Sequence, residues 1–341
     1  MKTALLLVNL GTPASTKTRD VRAYLREFLS DPYVLDIPAL ARWLLLNFVI
    51  LPLRPRRSGK LYQKIWTERG SPLLFHSEDL RDKVASILGP KTPVRLAMRY
   101  GEPAFAKVLS ELQAEGVERL LVFPLYPQYA LSSTETAKAR VLEVLGELGW
   151  QPKLQWLAPF HSEPEYIECL ARSFREGLSA EGFSHVLFGF HGLPERHVKK
   201  TDPTGQHCLK SPSCCDVACG ANKDCYRAQC FSTARLLAQR LGLRPAQYTV
   251  AFQSRLGRDP WIKPYMEEVV RDLGKDKVKN LVAICPAFTA DCLETLEETK
   301  LQIGGEFLKA GGTRFDYVPC LNSRDDWAAF LASKATRMMQ D

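Results

Sequence analysis

The N-terminal stretch TALLLVNL, residues 3–10, runs directly into the turn Gly11-Thr12-Pro13 and decides the fold. A continuous apolar run that ends in a glycine turn is typical of a strand buried on both faces of a parallel sheet. It is not a secretory signal, because the run Ala4–Val8 is shorter than the roughly 7–15 apolar residues that such a signal needs. We therefore expect a cytoplasmic protein.

Similar apolar runs alternate with amphipathic stretches along the rest of the chain, which predicts an α/β fold with helices on both faces of a parallel sheet. The predicted strands are Thr3–Leu10, Val94–Met98, Arg119–Pro124, Val186–Phe190, Tyr248–Gln253 and Asn280–Cys285. The predicted helices are Lys17–Leu29, Ser77–Ile87, Ala104–Ala114, Ser133–Leu148, Glu163–Leu178 and Tyr226–Leu241.

The two halves of the chain repeat one pattern. In the first half, strands run into the turns 11–13 and 125–129; in the second half, they run into 191–194 and 287–291. We expect two similar, doubly wound, Rossmann-like domains that face each other across a cleft, because ligands bind beyond the carboxyl ends of parallel strands. The expected domains are 1–150 and 151–325, followed by a C-terminal helix or tail, 326–341.

Composition places the chain among ordinary soluble proteins, with 45% hydrophobic and 25% charged residues in 341. The net charge of +8 is a mild excess. Its one conspicuous cluster is Arg54, Arg56, Arg57 and Lys60, which does not resemble a nucleic-acid footprint.

The stretch ALARWLLLNFVILPL, residues 39–53, is almost continuously apolar and precedes that basic cluster. It is shorter than the roughly 20 residues of a transmembrane helix. One interpretation is a buried helix. The other is an exposed apolar lip, residues 38–58, that dips into a bilayer beside anionic headgroups or guards a hydrophobic substrate.

The segment HCLKSPSCCDVACGANKDCYRAQC, residues 207–230, holds six of the ten cysteines. In a reducing compartment, clustered cysteines bind metal rather than form disulfides. Thiolates favour an iron–sulfur cluster or zinc.

Potential acid–base groups follow two strands. His191 lies in a turn after a strand, where an imidazole can exchange protons near neutral pH, although a lone histidine is more often structural. Asp291, Glu294 and Glu298 are spaced i, i+3 and i+7, which puts them on one face of a helix. They are either solvated surface acids or a carboxylate ladder.

From about Ala4 to about Asp326 the chain resembles the ferrochelatases, lyases that insert ferrous iron into a porphyrin to make haem. The resemblance rests on the order of many motifs, each of which is weak alone. They are LLLVNLGTP, FLSDPYV, the lip with RPRRS, YQKIW and GSPL within Tyr62–Leu73, RYGEP at Arg99–Pro103, PLYPQYALSST at Pro124–Thr134, FHGLPERH at Phe190–His197, FQSRLG and PW within Phe252–Trp261, and PAFTADCLETLEE at Pro286–Glu298.

The resemblance implies roles for the acid–base residues. Insertion of a divalent ion releases two pyrrole protons, and His191 is implied as their acceptor. Glu294 is the carboxylate opposite this histidine, and both would contact the ferrous ion. Glu298 and Asp291 continue an acidic path along a helix with a π-type widening. Many ferrochelatases have a second histidine where this chain has Cys292, which leaves His191 as the main base and favours a buried, inert thiol.

Other positions match residues that line the porphyrin pocket or hold its propionates. They are Leu10, Arg99, Tyr100, Tyr129, Ser132, Ser133 and Trp261.

The cysteine-rich segment, about 207–225, is an insertion relative to simpler ferrochelatases. Some bacterial members hold a [2Fe–2S] cluster there on four cysteines. We favour Cys208, Cys214, Cys215 and Cys225, with Cys219 as the substitute and Cys230 as a core residue of a helix. A tetrahedral zinc site is the alternative.

The resemblance predicts an enzyme that inserts Fe²⁺ into protoporphyrin IX, giving haem b and two protons in the last step of haem biosynthesis. Coproporphyrin is the alternative substrate, and a non-catalytic haem-binding or iron-sensing protein is the alternative function. His191 together with Glu294 favours the enzyme, because a carrier needs no opposed proton acceptor. We expect peripheral contact with the inner face of the cell membrane and no nucleic-acid partner; monomer and homodimer both remain open.

Overall fold

The computed structural model describes residues 1–179, 182–255, 257 and 259–340. Leu256, in the motif at Phe252–Trp261, and Asp341, in the predicted tail, lie outside these described residues.

Two four-stranded parallel sheets form the centre of the fold, and they share one topology. The first sheet has the order β2-β1-β3-β4, and the second has the equivalent order β6-β5-β7-β8. The predicted α/β class with two similar parallel sheets is confirmed. The strands are β1 (Thr3–Gly11), β2 (Val94–Tyr100), β3 (Arg119–Pro124), β4 (Lys153–Trp156), β5 (His185–His191), β6 (Tyr248–Gln253), β7 (Asn280–Ile284) and β8 (Arg314–Tyr317).

Helices connect the strands, and three segments of the described residues have π-helical geometry. The α-helices are α1 (Thr18–Ser30), α2 (Ala39–Leu44), α3 (Leu51–Gln63), α4 (Pro72–Leu88), α5 (Phe105–Ala114), α6 (Thr136–Glu147), α7 (Pro164–Gly177), α8 (Glu195–Lys200), α9 (Tyr226–Leu241), α10 (Met266–Lys275), α11 (Gly304–Lys309) and α12 (Asp325–Gln340). The π-helices are π1 (Leu45–Ile50), π2 (Leu131–Glu135) and π3 (Leu293–Ile303).

The N-terminal run forms the strand that the sequence predicts. Ala4–Val8 is fully buried in β1, which pairs with β2 on one side and β3 on the other. Gly11 ends the strand with φ +116°, and a Cβ there would lie 1.8 Å from the Tyr100 carbonyl oxygen. Only glycine fits this turn.

The sequence misses the edge strands β4 and β8. Each has four residues, reading KLQW and RFDY, and each is only partly buried. An edge strand pairs on one side only and needs no continuous apolar run, so neither has the local pattern of a buried strand.

The chain forms two compact units. The first comprises 1–126, 131–158 and 323–341, and the second comprises 127–130 and 159–322. Helix α12 packs within the first unit, where Arg119 donates to the carbonyl oxygens of Met338 and Met339. A guanidinium at a helix C-terminus satisfies carbonyls that have no partner within the helix.

The apolar stretch 39–53 spans α2, π1 and the start of α3. Leu46 and Leu51 are buried, but most of its large apolar side chains are exposed. This favours the exposed lip over the buried helix. The exposed side chains are Leu40, Trp43, Leu44, Leu45, Phe48, Val49 and Leu53. Among the described residues, none of the helices has both the length and the apolar character needed to cross a membrane.

Candidate active site and cysteine insert

His191 is the last residue of β5, at the carboxyl edge of the second sheet. Its Nδ1 lies 2.6 Å from the Gly192 carbonyl oxygen. A carbonyl can only accept, so we assign the proton to Nδ1, which leaves the lone pair of the neutral ring on Nε2. The turn thus prepares Nε2 to accept a proton.

The turn after His191 packs closely against β6 and the segment 260–263. The Gly192 amide donates to the Gln253 carbonyl at 2.7 Å, and a Cβ on Gly192 would lie 2.7 Å from that same oxygen. Trp261 also packs close to Gly192, because its Cε3 would lie 3.2 Å from this Cβ. Glycine is therefore required beside the histidine.

The acidic helix π3 approaches the same strand end through Gln253. The Gln253 side-chain amide donates to the Glu294 carbonyl at 2.8 Å and lies 3.4 Å from the Glu298 carboxylate. Thr299 donates to the Gln253 side-chain oxygen at 2.6 Å. Because Gln253 is opposite His191 in the β5–β6 register, one residue connects the histidine strand to the acidic helix.

Glu298 is held by two donors from one residue. The Ser254 amide donates to its Oε1 at 2.8 Å, and the Ser254 hydroxyl donates to its Oε2. Burial raises the pKa of Glu298 to about 7, against the opposing effect of the Ser254 hydrogen bonds, and the charge of Glu294 raises it further. Ser254 makes both contacts from a left-handed backbone with φ +67°, which non-glycine residues rarely adopt.

Asp291 differs from the expectation of three acids on one helix. It precedes π3, and the residue is 5% exposed. It accepts hydrogen bonds from Tyr317 at 2.7 Å, from the Asn322 side chain at 2.7 Å and from Thr295 at 3.1 Å. The carboxylate therefore anchors the start of the helix to the segment that follows β8.

Cys292 is buried immediately before π3 and contacts Glu294. Burial raises the pKa of its thiol well above the usual value, and the Glu294 charge raises it further. The thiol therefore stays protonated at neutral pH.

In the first unit, Arg99 and Tyr100 end β2 beside Leu10 in β1. Both donate to one buried carboxylate, Asp31; Tyr100 does so at 2.8 Å, and Arg99 forms an ion pair with it. Thr136 also donates to Asp31, at 2.5 Å. The Arg99 guanidinium is thus already paired with Asp31 inside the protein. The sequence alone suggested a cation that is available to a porphyrin propionate.

The remaining predicted ring contacts lie around π2. Ser132 and Ser133 are partly exposed in its first turn. Tyr129 belongs to the short segment 127–130 of the second unit, where its amide donates to the Gln229 side chain at 2.7 Å.

Four cysteine side chains of the insert are buried close together. They are Cys208, Cys214, Cys215 and Cys225, and the sulfur atoms of Cys214 and Cys215 are 3.7 Å apart. Two sulfurs bound to one tetrahedral metal ion at about 2.3 Å would be about 3.8 Å apart, so the spacing of this adjacent pair is compatible with two ligands of one ion and does not distinguish iron from zinc. Across the described residues, no three or more His, Cys, Asp or Glu side chains meet around a single metal-ion position.

The other insert cysteines have different surroundings. Cys230 is fully buried within α9. Cys219 is exposed, with its sulfur 3.7 Å from Nε2 of His207. Asp202 organises the start of the insert, because its carboxylate accepts the amides of His207 and Cys208, both at 2.8 Å.

Comparisons with known proteins identify the family of this chain. A model of the family Ferrochelatase matches residues 2–339. The chain belongs to the ferrochelatase family. The ferrochelatase of Stutzerimonas stutzeri (strain A1501) is 47% identical over 338 residues, covering 99% of this chain and 98% of the relative. That of Coxiella burnetii (strain CbuK_Q154) is 42% identical over 339 residues, covering 99% and 94%.

A solved structure described as SirB from Bacillus subtilis with Fe3+ covers 98% of this chain and 96% of its own. Its TM-score is 0.57 at 11% identity, so the likeness shows the fold alone.

Sequence reasoning within the ferrochelatase motifs missed three residues of this geometry. Asp31 lies in FLSDPYV, and Gln253 and Ser254 lie in FQSRLG. The motifs themselves were the signal, since polar residues within apolar stretches need partners when buried. Their hydrogen-bond partners are distant in sequence, so these partners could not be predicted from the motifs.

The raised pKa of Glu298 predicts a pH-dependent loss of stability. Between its ordinary pKa of 4.5 and its folded pKa of about 7, the folded chain keeps a proton that the unfolded chain releases. The free energy of unfolding should therefore fall as pH rises through this window and stay low above it. Glu298→Gln should remove about 1–3 kcal/mol of this decline.

Urea unfolding at pH values below and above the window measures the effect. Glu268→Gln, at an exposed position in α10, is the control and should keep the wild-type decline. An equal decline in wild type and Glu298→Gln would contradict the assigned pKa.

Proposed function

We propose that this protein inserts Fe²⁺ into protoporphyrin IX to give haem b and two protons, the last step of haem biosynthesis. Membership of the ferrochelatase family supports iron insertion into a porphyrin. The single observation that carries the proposal is the Gln253 connection, which brings the His191 turn and the Glu294–Glu298 helix to one edge of the second sheet.

His191 acts as the first proton acceptor. Metal insertion replaces two pyrrole N–H bonds with bonds to iron, so two protons must leave the ring. Nε2 of His191 carries the lone pair that takes a pyrrole proton, because Nδ1 is held on the Gly192 carbonyl. We assign the contacts to the substrate ion to His191 and Glu294.

Glu298 passes protons away from the ring. Its pKa of about 7 lets it both accept and release a proton at neutral pH. We assign Asp291 to positioning π3 rather than to proton transfer. Its carboxylate already accepts hydrogen bonds from Tyr317, Asn322 and Thr295. Neutralising Glu294 should cost more activity than neutralising Glu298.

Trp261 supplies a flat apolar surface for the macrocycle, and Leu10 supplies an apolar contact. The propionates are assigned to cationic and hydroxyl donors. The proposed donors are Arg99, Tyr129, Ser132 and Ser133. Tyr100, which the sequence also suggested, is fully buried and donates its one hydroxyl proton to Asp31, so we assign it to the support of Arg99. Asp31 fixes the direction of Arg99, so this cation is pre-oriented rather than mobile.

The exposed lip supports a membrane-borne, hydrophobic porphyrin over coproporphyrin, which carries two more carboxylates. Exposed Trp43 and Phe48 contact each other edge to face, with ring centroids 5.7 Å apart. The exposed basic residues Arg54, Arg56 and Arg57 follow in α3. Apolar side chains beside cations match the two components of an anionic bilayer surface.

The insert holds a [2Fe–2S] cluster on Cys208, Cys214, Cys215 and Cys225. Burial raises the pKa of Cys208 and Cys214, so these thiols become thiolates only when a metal compensates the charge. Such a cluster supplies one-electron chemistry and a cross-link. We propose that this cross-link keeps the insert folded, because the insert has few apolar residues of its own to form a core.

His191→Ala tests the chelatase. The variant should bind porphyrin but lose turnover by roughly 10²-fold, because a general base is removed. Anaerobic incubation with Fe²⁺ and protoporphyrin, followed by haem absorbance, measures the rate. His185→Ala, at the other end of β5, is the control and should keep most turnover. A folded His191→Ala protein with more than half the wild-type rate would overturn the assignment.

The membrane contact is tested by changing Leu44, Leu45 and Phe48 to Ser. The triple variant should lose sedimentation with anionic vesicles and keep its fold, because interfacial binding scales with buried apolar area. A parallel change of exposed Leu142 to Ser, in α6, should leave sedimentation unchanged. Equal sedimentation of the triple variant and wild type would refute the lip as a membrane contact.

The cluster is tested by colour and metal content. Anaerobically purified protein should be red-brown and contain about two irons and two sulfides per chain. Cys208→Ser and Cys225→Ser should lose colour and stability, whereas Cys230→Ser, within α9, should keep the colour. A colourless protein with one zinc per chain would replace the cluster with the alternative site and leave the chelatase proposal intact.

A further inference from the structure

The segment 127–130 connects β3 to π2 and is held by side chains of α9. The Tyr129 amide donates to the Gln229 side-chain oxygen at 2.7 Å, and the Gln128 side-chain amide donates to the Thr233 hydroxyl at 3.0 Å. Gln229 and Thr233 are spaced i, i+4, so they are neighbours on one face of the helix. One helix face therefore fixes two successive residues of the segment.

The Gln229 side chain has one defined orientation. Its Nε2 donates to the Lys223 carbonyl at 2.7 Å, while its oxygen accepts the Tyr129 amide. A carbonyl can only accept and a backbone amide can only donate, so the side-chain amide fits in one direction only. Gln229 is 4% exposed, which makes the loss of either partner costly. The side chain thus holds Tyr129 from a fixed point at the end of the cysteine insert.

Thr233 supports the same segment through Gln128. Its hydroxyl accepts from Gln128, and its single proton lies within reach of the carbonyl oxygens of His161, at 2.9 Å, and Gln229, at 3.0 Å. Thr233 is fully buried and Gln128 almost so. Buried polar groups that all have partners specify a single arrangement.

We propose that Gln229 is a positioning residue for porphyrin binding, which keeps the Tyr129 backbone in place so that the partly exposed Tyr129 side chain meets the substrate without reorganisation. The inference rests on the proposed contact between Tyr129 and the porphyrin. Thr233 contributes to the same effect through Gln128. Neither Gln229 nor Thr233 is assigned to proton transfer, so their loss should weaken substrate binding more than it slows the chemical step.

The chain offers matched variants of both positions. Gln229→Met keeps the length of the side chain and removes both of its hydrogen bonds. Thr233→Val keeps the shape and removes the hydroxyl, whereas Thr233→Ser keeps the hydroxyl and should restore wild-type binding. Gln239→Met makes the same change as Gln229→Met at an exposed position of α9 and is the control.

The experiment compares the full-length wild type with these variants. Thermal unfolding checks the fold, a fluorescence titration without iron gives the protoporphyrin Kd, and anaerobic haem formation gives KM and kcat. Gln229→Met should raise Kd and KM about threefold to tenfold and change kcat less than about twofold. Thr233→Val should shift Kd and KM in the same direction. Thr233→Ser and Gln239→Met should match wild type.

A double-mutant cycle shows whether Gln229 acts through Tyr129. Tyr129→Ala removes the ring but keeps the backbone amide. If Gln229 acts by positioning that ring, adding Gln229→Met to Tyr129→Ala should change Kd less than about twofold, because the two residues contribute as a unit. A purely structural role of Gln229 would give the same loss of affinity in both backgrounds.

Three results would overturn the inference. They are wild-type Kd and KM in folded Gln229→Met, an undiminished effect of Gln229→Met in the Tyr129→Ala background, and wild-type affinity in Tyr129→Ala. If Gln229→Met does not fold, Thr233→Val decides, since wild-type affinity in that variant refutes the positioning of the segment. A wild type that binds porphyrin but forms no haem would refute the chelatase proposal alone, because the iron-free Kd values still test Gln229.

Discussion

The carbonyl and side-chain amide of Gln253, fully buried at the end of β6, connect the turn after His191 with the acidic helix π3. The carbonyl receives the Gly192 amide and so fixes the turn that follows His191. The side chain receives Thr299 and donates to the Glu294 carbonyl, which fixes the helix. A buried amide left without these partners would cost about 1–3 kcal/mol per group, so the arrangement holds as a unit. Proton acceptor and carboxylates are thereby fixed to one strand end.

Surroundings, not residue type, separate the roles of the acidic residues. Asp291 is surrounded by donors and works as an anchor, whereas Glu298 has donors from Ser254 but lies in a buried position that favours its neutral form. A carboxyl group with a pKa near neutral pH, such as that of Glu298, can both accept and release a proton. Glu298 lies in π3, which has the wider turn of a π-helix. π-Helical segments are frequent at functional sites.

The cysteine insert has no counterpart in the first unit, although the two sheets share one topology. It lies between α8, which directly follows the histidine turn, and α9. Asp202 orders its start through the amides of His207 and Cys208. Arg227 connects its middle to the segment 260–263. An insert with little core of its own can therefore influence the wall of the site without contributing a residue to the chemistry.

The sequence by itself determined the central strands, the repeated topology and the place of His191, because buried parallel strands carry continuous apolar runs and their ends carry turn residues. The bounds predicted for β3 and β6 match the structure. Only the tertiary structure decided the edge strands β4 and β8, the exposure of the lip, the pairing of Arg99 with Asp31 and the pKa of Glu298. The physical reason is that burial and hydrogen-bond partners depend on contacts between residues far apart in the chain: Asp31 and Arg99 are separated by 68 positions and Ser254 and Glu298 by 44.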